Sequence, residues 1–144
     1  MTGRPLIVAV VLLRRDGAAL LQHRDNRPDI PAPGLWVFPG GHADPGETSV
    51  DCALRELEEE TAYRAPRLDF LLSFEDDFFG QQPVRPMDVF WGIYDGHQPV
   101  ECREGQGLRF VLREEALGLQ TPPYQMAIWD FAMSKKAFLK RRNG

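Results

Sequence analysis

GHADPGETSVDCALRELEEETAY, running from Gly41 to Tyr63, is the stretch on which the reading of this chain turns. Thr48 and Asp51 match a capping pattern, in which a hydroxyl just ahead of a helix accepts a backbone N–H three residues on. A helix from about Ser49 to Thr61 is therefore predicted. At about 100° per residue, Val50, Ala53, Leu54, Leu57 and Thr61 form one apolar stripe that faces a core. Glu56, Glu59 and Glu60 fall together away from that stripe, because spacings of three and four bring side chains over one another. Like charges so placed repel by a few tenths of a kcal/mol per pair, and more where water is scarce. A plain solvated face is the bland reading of such glutamates. A divalent cation is the sharper one, and all-oxygen ligation points to magnesium, manganese or calcium rather than zinc. Cys52 shares the carboxylates' side, but no histidine is placed to activate it and it reads as packing.

Working outward, Ile7 to Leu13 and Ala18 to Gln22 read as two strands joined at the Arg15-Asp16-Gly17 turn. The segment Asp25 to Gly34, with three prolines, reads as an ordered loop leading into a strand at Leu35 to Phe38. Leu68 to Phe74, Met87 to Tyr94 and Leu108 to Leu112 read as further strands. Between Pro123 and Arg141, Met126, Trp129, Ala132 or Met133, and Ala137 recur at helical spacing, as in a helix covering a sheet. Strands mixed with two covering helices give an α/β layered domain, and 1–144 is read as one domain.

From Gly41, five residues lead to Glu47 and seven more to Arg55, followed by Glu56, Leu57, Glu58, Glu59, Glu60, Thr61, Ala62 and Tyr63. This resembles the Nudix box, which runs glycine, five residues, glutamate, seven residues, then Arg-Glu-aliphatic-any-Glu-Glu-any-Gly-aliphatic. Ala62 replaces the glycine and Tyr63 the aliphatic residue. Glycine there usually serves a left-handed cap that costs other residues about 1 to 2 kcal/mol, so Ala62 unsettles the helix end rather than the catalysis.

The resemblance implies an α/β/α sandwich around a mixed sheet, and Mg²⁺-dependent hydrolysis of a diphosphate linkage in a nucleoside diphosphate derivative, with Mn²⁺ able to substitute. It makes Glu56, Glu59, Glu60 and the Gly40 carbonyl metal ligands. Glu56 also matches a position assigned as general base or water orienter. Glu47 and Arg55 become a salt bridge that holds the site beside Gly41. Glu104, in Glu104-Gly105-Gln106-Gly107, resembles the acid that MutT-type members add; Glu101, Glu75, Asp76 and Asp77 are its rivals. Arg24 stands where such enzymes place an arginine against phosphates, or is merely solvated. His42 reaches a phosphate oxygen, or is simply exposed. Gln125 resembles a base-reading amide. Phe78, with Phe79, stacks on a base or anchors a lid.

Nucleoside triphosphate, nucleotide sugar, dinucleoside polyphosphate and coenzyme substrates all remain open, with Glu104 and Gln125 leaning toward a MutT-type nucleoside triphosphate pyrophosphatase. The rival from another class is a non-catalytic nucleotide-sensing Nudix-like domain. Against it, every acid of the box is present and no DNA-binding segment is seen.

A formal charge of -4, from 17 basic and 21 acidic side chains, argues against a nucleic acid polymer as partner. An anionic small substrate then needs local cations or a metal. The apolar run Leu6 to Leu13 is far shorter than the roughly 20 residues of a membrane span, and no targeting segment is read. Two cysteines without a CxxC pattern suit a reducing cytoplasm. Many members of the family are dimers, which makes a homodimer an open expectation.

Overall fold

The computed structural model describes residues 6–30, 32–76 and 85–143. Strand β1 (Ile7–Leu13) is buried along its whole length. Seven consecutive apolar residues at a period of two leave both faces needing a cover. Val8, Val10 and Leu12 join Cys52, Ala53 and Leu57 of helix α1 (Ser49–Thr61) in one core. Ile7, Ala9, Val11 and Leu13 join Ile128, Trp129 and Ala132 of helix α2 (Gln125–Asn143) in the other. The predicted α/β/α sandwich is thus present, and the Trp129 indole N–H ties α2 to the first turn by donating to the Gly17 carbonyl at 2.9 Å.

The sheet is mixed. Strand β2 (Ala19–His23) folds back on β1 as a hairpin, and β6 (Arg85–Ile93) runs parallel to β1 from Ile7 opposite Met87 to Leu13 opposite Ile93. Strand β5 (Asp69–Asp76) lies antiparallel on β6. Two short strands, β3 (Trp36–Val37) and β4 (Gly40–His42), pair with the end of β2 and the start of β1, and β7 (Gly107–Val111) pairs with β2.

Helix α1 occupies the residues its caps and period predict. The strands differ from expectation by one or two residues at their ends. Strand β4 was not foreseen: Gly40-Gly41 reads as a close approach of backbone to a ligand, or as a plain tight turn, because glycine carries no side-chain alternation and weakens strands. Here it pairs with β1 because nothing larger fits; a Cβ on Gly40 would stand 2.0 Å from the Val8 carbonyl oxygen. The 3-10 turn Glu115–Gly118 was also unforeseen. Ala137, expected on the buried stripe of α2, is exposed, because the described interior contacts of that helix end near Met133.

The two departures from the box have structural counterparts. Ala62 does take the left-handed conformation, at φ 69°, and its N–H donates to the Glu58 carbonyl at 2.9 Å. Tyr63 is buried against Tyr94, and its hydroxyl accepts the Asp95 N–H at 3.1 Å. Ala62→Gly relieves about 1 to 2 kcal/mol of backbone strain and loses about 0.4 to 1 kcal/mol through a looser unfolded chain. A net gain of about 0.5 to 1 kcal/mol, read from urea unfolding, with turnover within about twofold, is the expected result. A large change in turnover with unaltered unfolding would contradict it.

Candidate active site

Strand β4 crosses over the C-terminal half of α1, and the glycines permit the approach. A Cβ on Gly41 would stand 2.4 Å from the Glu56 carboxyl carbon. One turn further along, Glu60 is only 5% exposed. Its Oε2 accepts the Gly40 N–H at 3.0 Å and its Oε1 accepts the Gln22 amide at 3.2 Å. Glu104 stands close enough to act on its charge. Burial first, and Glu104 second, push the Glu60 carboxyl up to about 9, so without a cation beside it the protonated form is favoured at neutral pH. Burial likewise raises the Glu56 carboxyl, against the opposing pull of Arg55.

The loop bearing Glu104 is fixed by the helix it faces. The N–H groups of Glu101 and Arg103 donate to the Thr61 and Glu60 carbonyls at 2.9 and 3.1 Å, satisfying acceptors that a helix end leaves open. This brings both Glu101 and Glu104 to the end of the box helix; Glu104 lines the cleft, whereas the Glu101 carboxylate accepts from Arg103 at 3.2 Å.

The three box glutamates do not share one solvent patch, as helical spacing suggested. Glu59 has a 58% exposed side chain and rests on the Arg55 guanidinium at 3.1 Å, whereas Glu60 turns inward. Adjacent residues differ by about 100°, and the tilt of α1 under β4 decides which of them is covered. Arg55 grips Glu47 through two bonds of 2.8 Å, Glu56 at 2.9 Å and the His42 carbonyl at 3.1 Å. The expected Glu47–Arg55 bridge is therefore in place. It holds the Glu47 carboxyl down at about 2.

Removing this clamp has a pH signature. A carboxyl whose folded pKa is depressed stabilises the fold above its ordinary range and loses that contribution as pH falls toward about 2. Arg55→Ala should therefore lower the melting temperature more at pH 6 than at pH 2.5, and cut turnover by about 100-fold because Glu56 and the 42–47 loop lose their anchor. An equal drop at both pH values, in paired thermal melts, would contradict this.

Gly40, Gly41, Glu56 and Glu104 line a cleft of about 530 Å³ together with Arg24, Arg85 and His42. Arg85 carries no motif and was missed by sequence reasoning; it starts β6, and its guanidinium meets His42 Nε2 at 3.0 Å. Burial and then Arg85 lower the pKa of His42, which is thus neutral and accepts from Arg85. Gln22, 2% exposed, was missed too, its one signal being an amide in an otherwise apolar strand. Phe38, Met87 and Tyr124 add apolar surface to the cleft. Gln125 lines the cleft and is 1% exposed. Phe78, with Phe79 and Asp77, lies outside the described residues.

Among the described residues, no three His, Cys, Asp or Glu side chains stand ready as a metal-ligand cluster. The donor chemistry nevertheless fits a hard cation. The buried Glu60 carboxyl beneath the Gly40 N–H, with Glu56, Glu104 and Gly40 lining the adjoining cleft, forms an all-oxygen set that suits a divalent ion. No sulfur or imidazole joins them, which disfavours zinc.

The family model of the NUDIX domain matches residues 3–135. The chain belongs to the Nudix family. This Nudix hydrolase is 28% identical over 130 residues to the CTP pyrophosphohydrolase of Escherichia coli (strain K12), covering 90% of this chain and 93% of that one. It is 30% identical over 122 residues to an RNA pyrophosphohydrolase of Cereibacter sphaeroides (strain KD131), covering 85% and 71%. Its fold matches the crystal structure of a MutT protein from Methanosarcina mazei Go1 at a TM-score of 0.74 and 22% identity, covering 94% of this chain and 99% of that one. Nudix hydrolases generally use divalent metals. Among the described residues, no helix is long and apolar enough to cross a membrane.

Proposed function

We propose that this Nudix hydrolase, acting as one domain, cleaves the diphosphate linkage of a nucleoside diphosphate derivative with Mg²⁺, a nucleoside triphosphate being the favoured substrate. The observation that carries the reading is the buried Glu60 carboxyl beneath Gly40, beside a cleft that Glu56 and Glu104 line together with Arg24 and Arg85. The name of the E. coli relative leans the same way.

Glu56, Glu60 and Glu104, with the Gly40 backbone, would hold the cation, and Glu59 would join them by turning its own side chain off Arg55. When bound, magnesium, or manganese in its place, offsets charge on the bridging oxygens and makes a coordinated water acidic. Arg24 and Arg85 bind phosphate oxygens and orient the chain of phosphates. A glutamate, Glu56 being the nearest to Gly41, accepts the proton of the attacking water as its oxygen bonds to phosphorus and the bridging P–O bond breaks. Phe38, Met87 and Tyr124 offer apolar surface to the nucleoside. A cytoplasmic setting suits the two free thiols, Cys52 and Cys102.

The test is a panel of nucleoside triphosphates, nucleotide sugars and dinucleoside polyphosphates incubated with Mg²⁺, with the products identified and Glu59→Gln and Glu60→Gln run beside the wild type. Mononucleotide and pyrophosphate from a nucleoside triphosphate is the expected result. Binding without product, equal in wild type and both variants, would overturn it in favour of a sensor.

A further inference from the structure

Residues 36–42 lead from the edge of β2 to the start of β1 and deliver Gly40 to Glu60. On their inner side they make ordinary strand bonds: Val37 pairs with Gln22, the Pro39 carbonyl accepts from Val10 N–H at 2.8 Å, and Gly40 to His42 pair with Ala9 to Ile7. On the outer side no strand is adjacent among the described residues. The bonds there come from scattered groups. Trp36 N–H donates to the Gln120 carbonyl at 2.9 Å, and Gly40 N–H to Glu60 Oε2 at 3.0 Å. Between these two, one side chain serves two further groups. Gln125 Nε2 donates to the Trp36 carbonyl at 2.9 Å and Gln125 Oε1 accepts the Phe38 N–H at 3.3 Å.

We propose that Gln125 is a positioning residue, whose amide substitutes for the missing strand peptide beside Trp36 and Phe38 and thereby sets Gly40 over Glu60, rather than a reader of the base. The geometry is that of a β ladder, in which alternate residues point their N–H and C=O to the same side, here residues 36, 38 and 40. A primary amide presents one donor and one acceptor at the spacing of a peptide group, so it can close that ladder. The side chain is 1% exposed and sits at the first residue of α2, so both partners and its own backbone fix its plane. Reading a base with the same amide would require releasing backbone groups that are themselves covered, which costs more than an exposed amide would. The sequence position of Gln125 near the cleft is thus explained without a contact to the nucleoside.

The test uses the full chain with Gln125→Met, which keeps the volume and removes both bonds, and Gln125→Glu, which can still accept from Phe38 and, protonated, donate to Trp36. Three quantities are read: amide hydrogen exchange at Phe38, affinity for Mn²⁺ alone by paramagnetic resonance, and kcat and KM for ATP, CTP, GTP and UTP. For Gln125→Met, Phe38 exchange should rise by about tenfold or more. Mn²⁺ affinity and kcat should each fall by roughly tenfold, with KM within about twofold and an equal fall for all four nucleotides. Gln125→Glu should recover most of both.

Unchanged Phe38 exchange in Gln125→Met would overturn the proposal. So would a shift of about tenfold or more in preference among the four bases, because uniform loss is what distinguishes a positioning role from base reading. The turnover arm rests on the hydrolase reading. If the wild type turns over none of the four nucleotides that reading is in difficulty, whereas Phe38 exchange and Mn²⁺ affinity still decide this one.

Discussion

Glu60→Gln is expected to cut kcat/KM by about 1,000-fold or more, roughly 4 kcal/mol of transition-state stabilisation, while leaving the metal-free chain at least as stable as the wild type above neutral pH. The two halves of this result have one cause. Glu60 is 5% exposed and faces Glu104, so its ionised form is disfavoured unless a cation is present. Glutamine retains an acceptor for the Gly40 N–H, and the Gln22 amide can reverse to meet the new NH₂, so the hydrogen bonds survive while the charge does not.

The pH dependence follows in sign. A group whose folded pKa is raised stabilises the fold below its ordinary range and loses that contribution as pH rises toward the folded value, here about 9. Metal-free wild type should therefore lose melting temperature between pH 5 and pH 9 more steeply than Glu60→Gln in parallel scans. Turnover of Glu60→Gln within about tenfold of wild type would remove this residue from the chemistry.

Gly40→Ala is expected to cost about 2 to 3 kcal/mol of stability and about 100-fold in turnover together. A methyl carbon 2.0 Å from the Val8 carbonyl oxygen cannot be accommodated by a rotamer change, since the obstacle is backbone. Strand β4 must lift from β1, and the Gly40 N–H then leaves Glu60. Gly41→Ala provides the contrast. Its new methyl meets the end of the Glu56 side chain, which can swing away, so the fold should be nearly unaffected while turnover falls. Equal unfolding midpoints for the two variants in urea would contradict the distinction.

Much of the frame was legible before any coordinates. The capping pair Thr48 and Asp51 and the apolar period fixed α1, and the Val, Ile and Leu of Ile7 to Leu13 marked the first strand of a hairpin, because these signals are local. The Glu47–Arg55 bridge and the placement of Glu104 came from the resemblance and its spacing. What local pattern could not carry was the result of long-range packing. Glu59 and Glu60 are neighbours in sequence, and only the tilt of α1 beneath β4 decides that one stays on Arg55 and the other is buried. Arg85 and Gln22 reach the cleft through strand register, which pairs β6 with β1 and β2 with β3 and β7. Strand β4 exists because a close approach demands glycine, the residue that propensity assigns to turns.

A divalent cation bound beside Glu60 displaces the proton that burial holds on its carboxyl. Proton release on adding Mg²⁺ to the metal-free protein at pH 7.5, measured by calorimetry in buffers of different ionisation enthalpy, tests it most directly. About one proton should leave per protein, and close to none from Glu60→Gln. Binding of Mg²⁺ to the wild type with no proton released, or with equal release from Glu60→Gln, would contradict it.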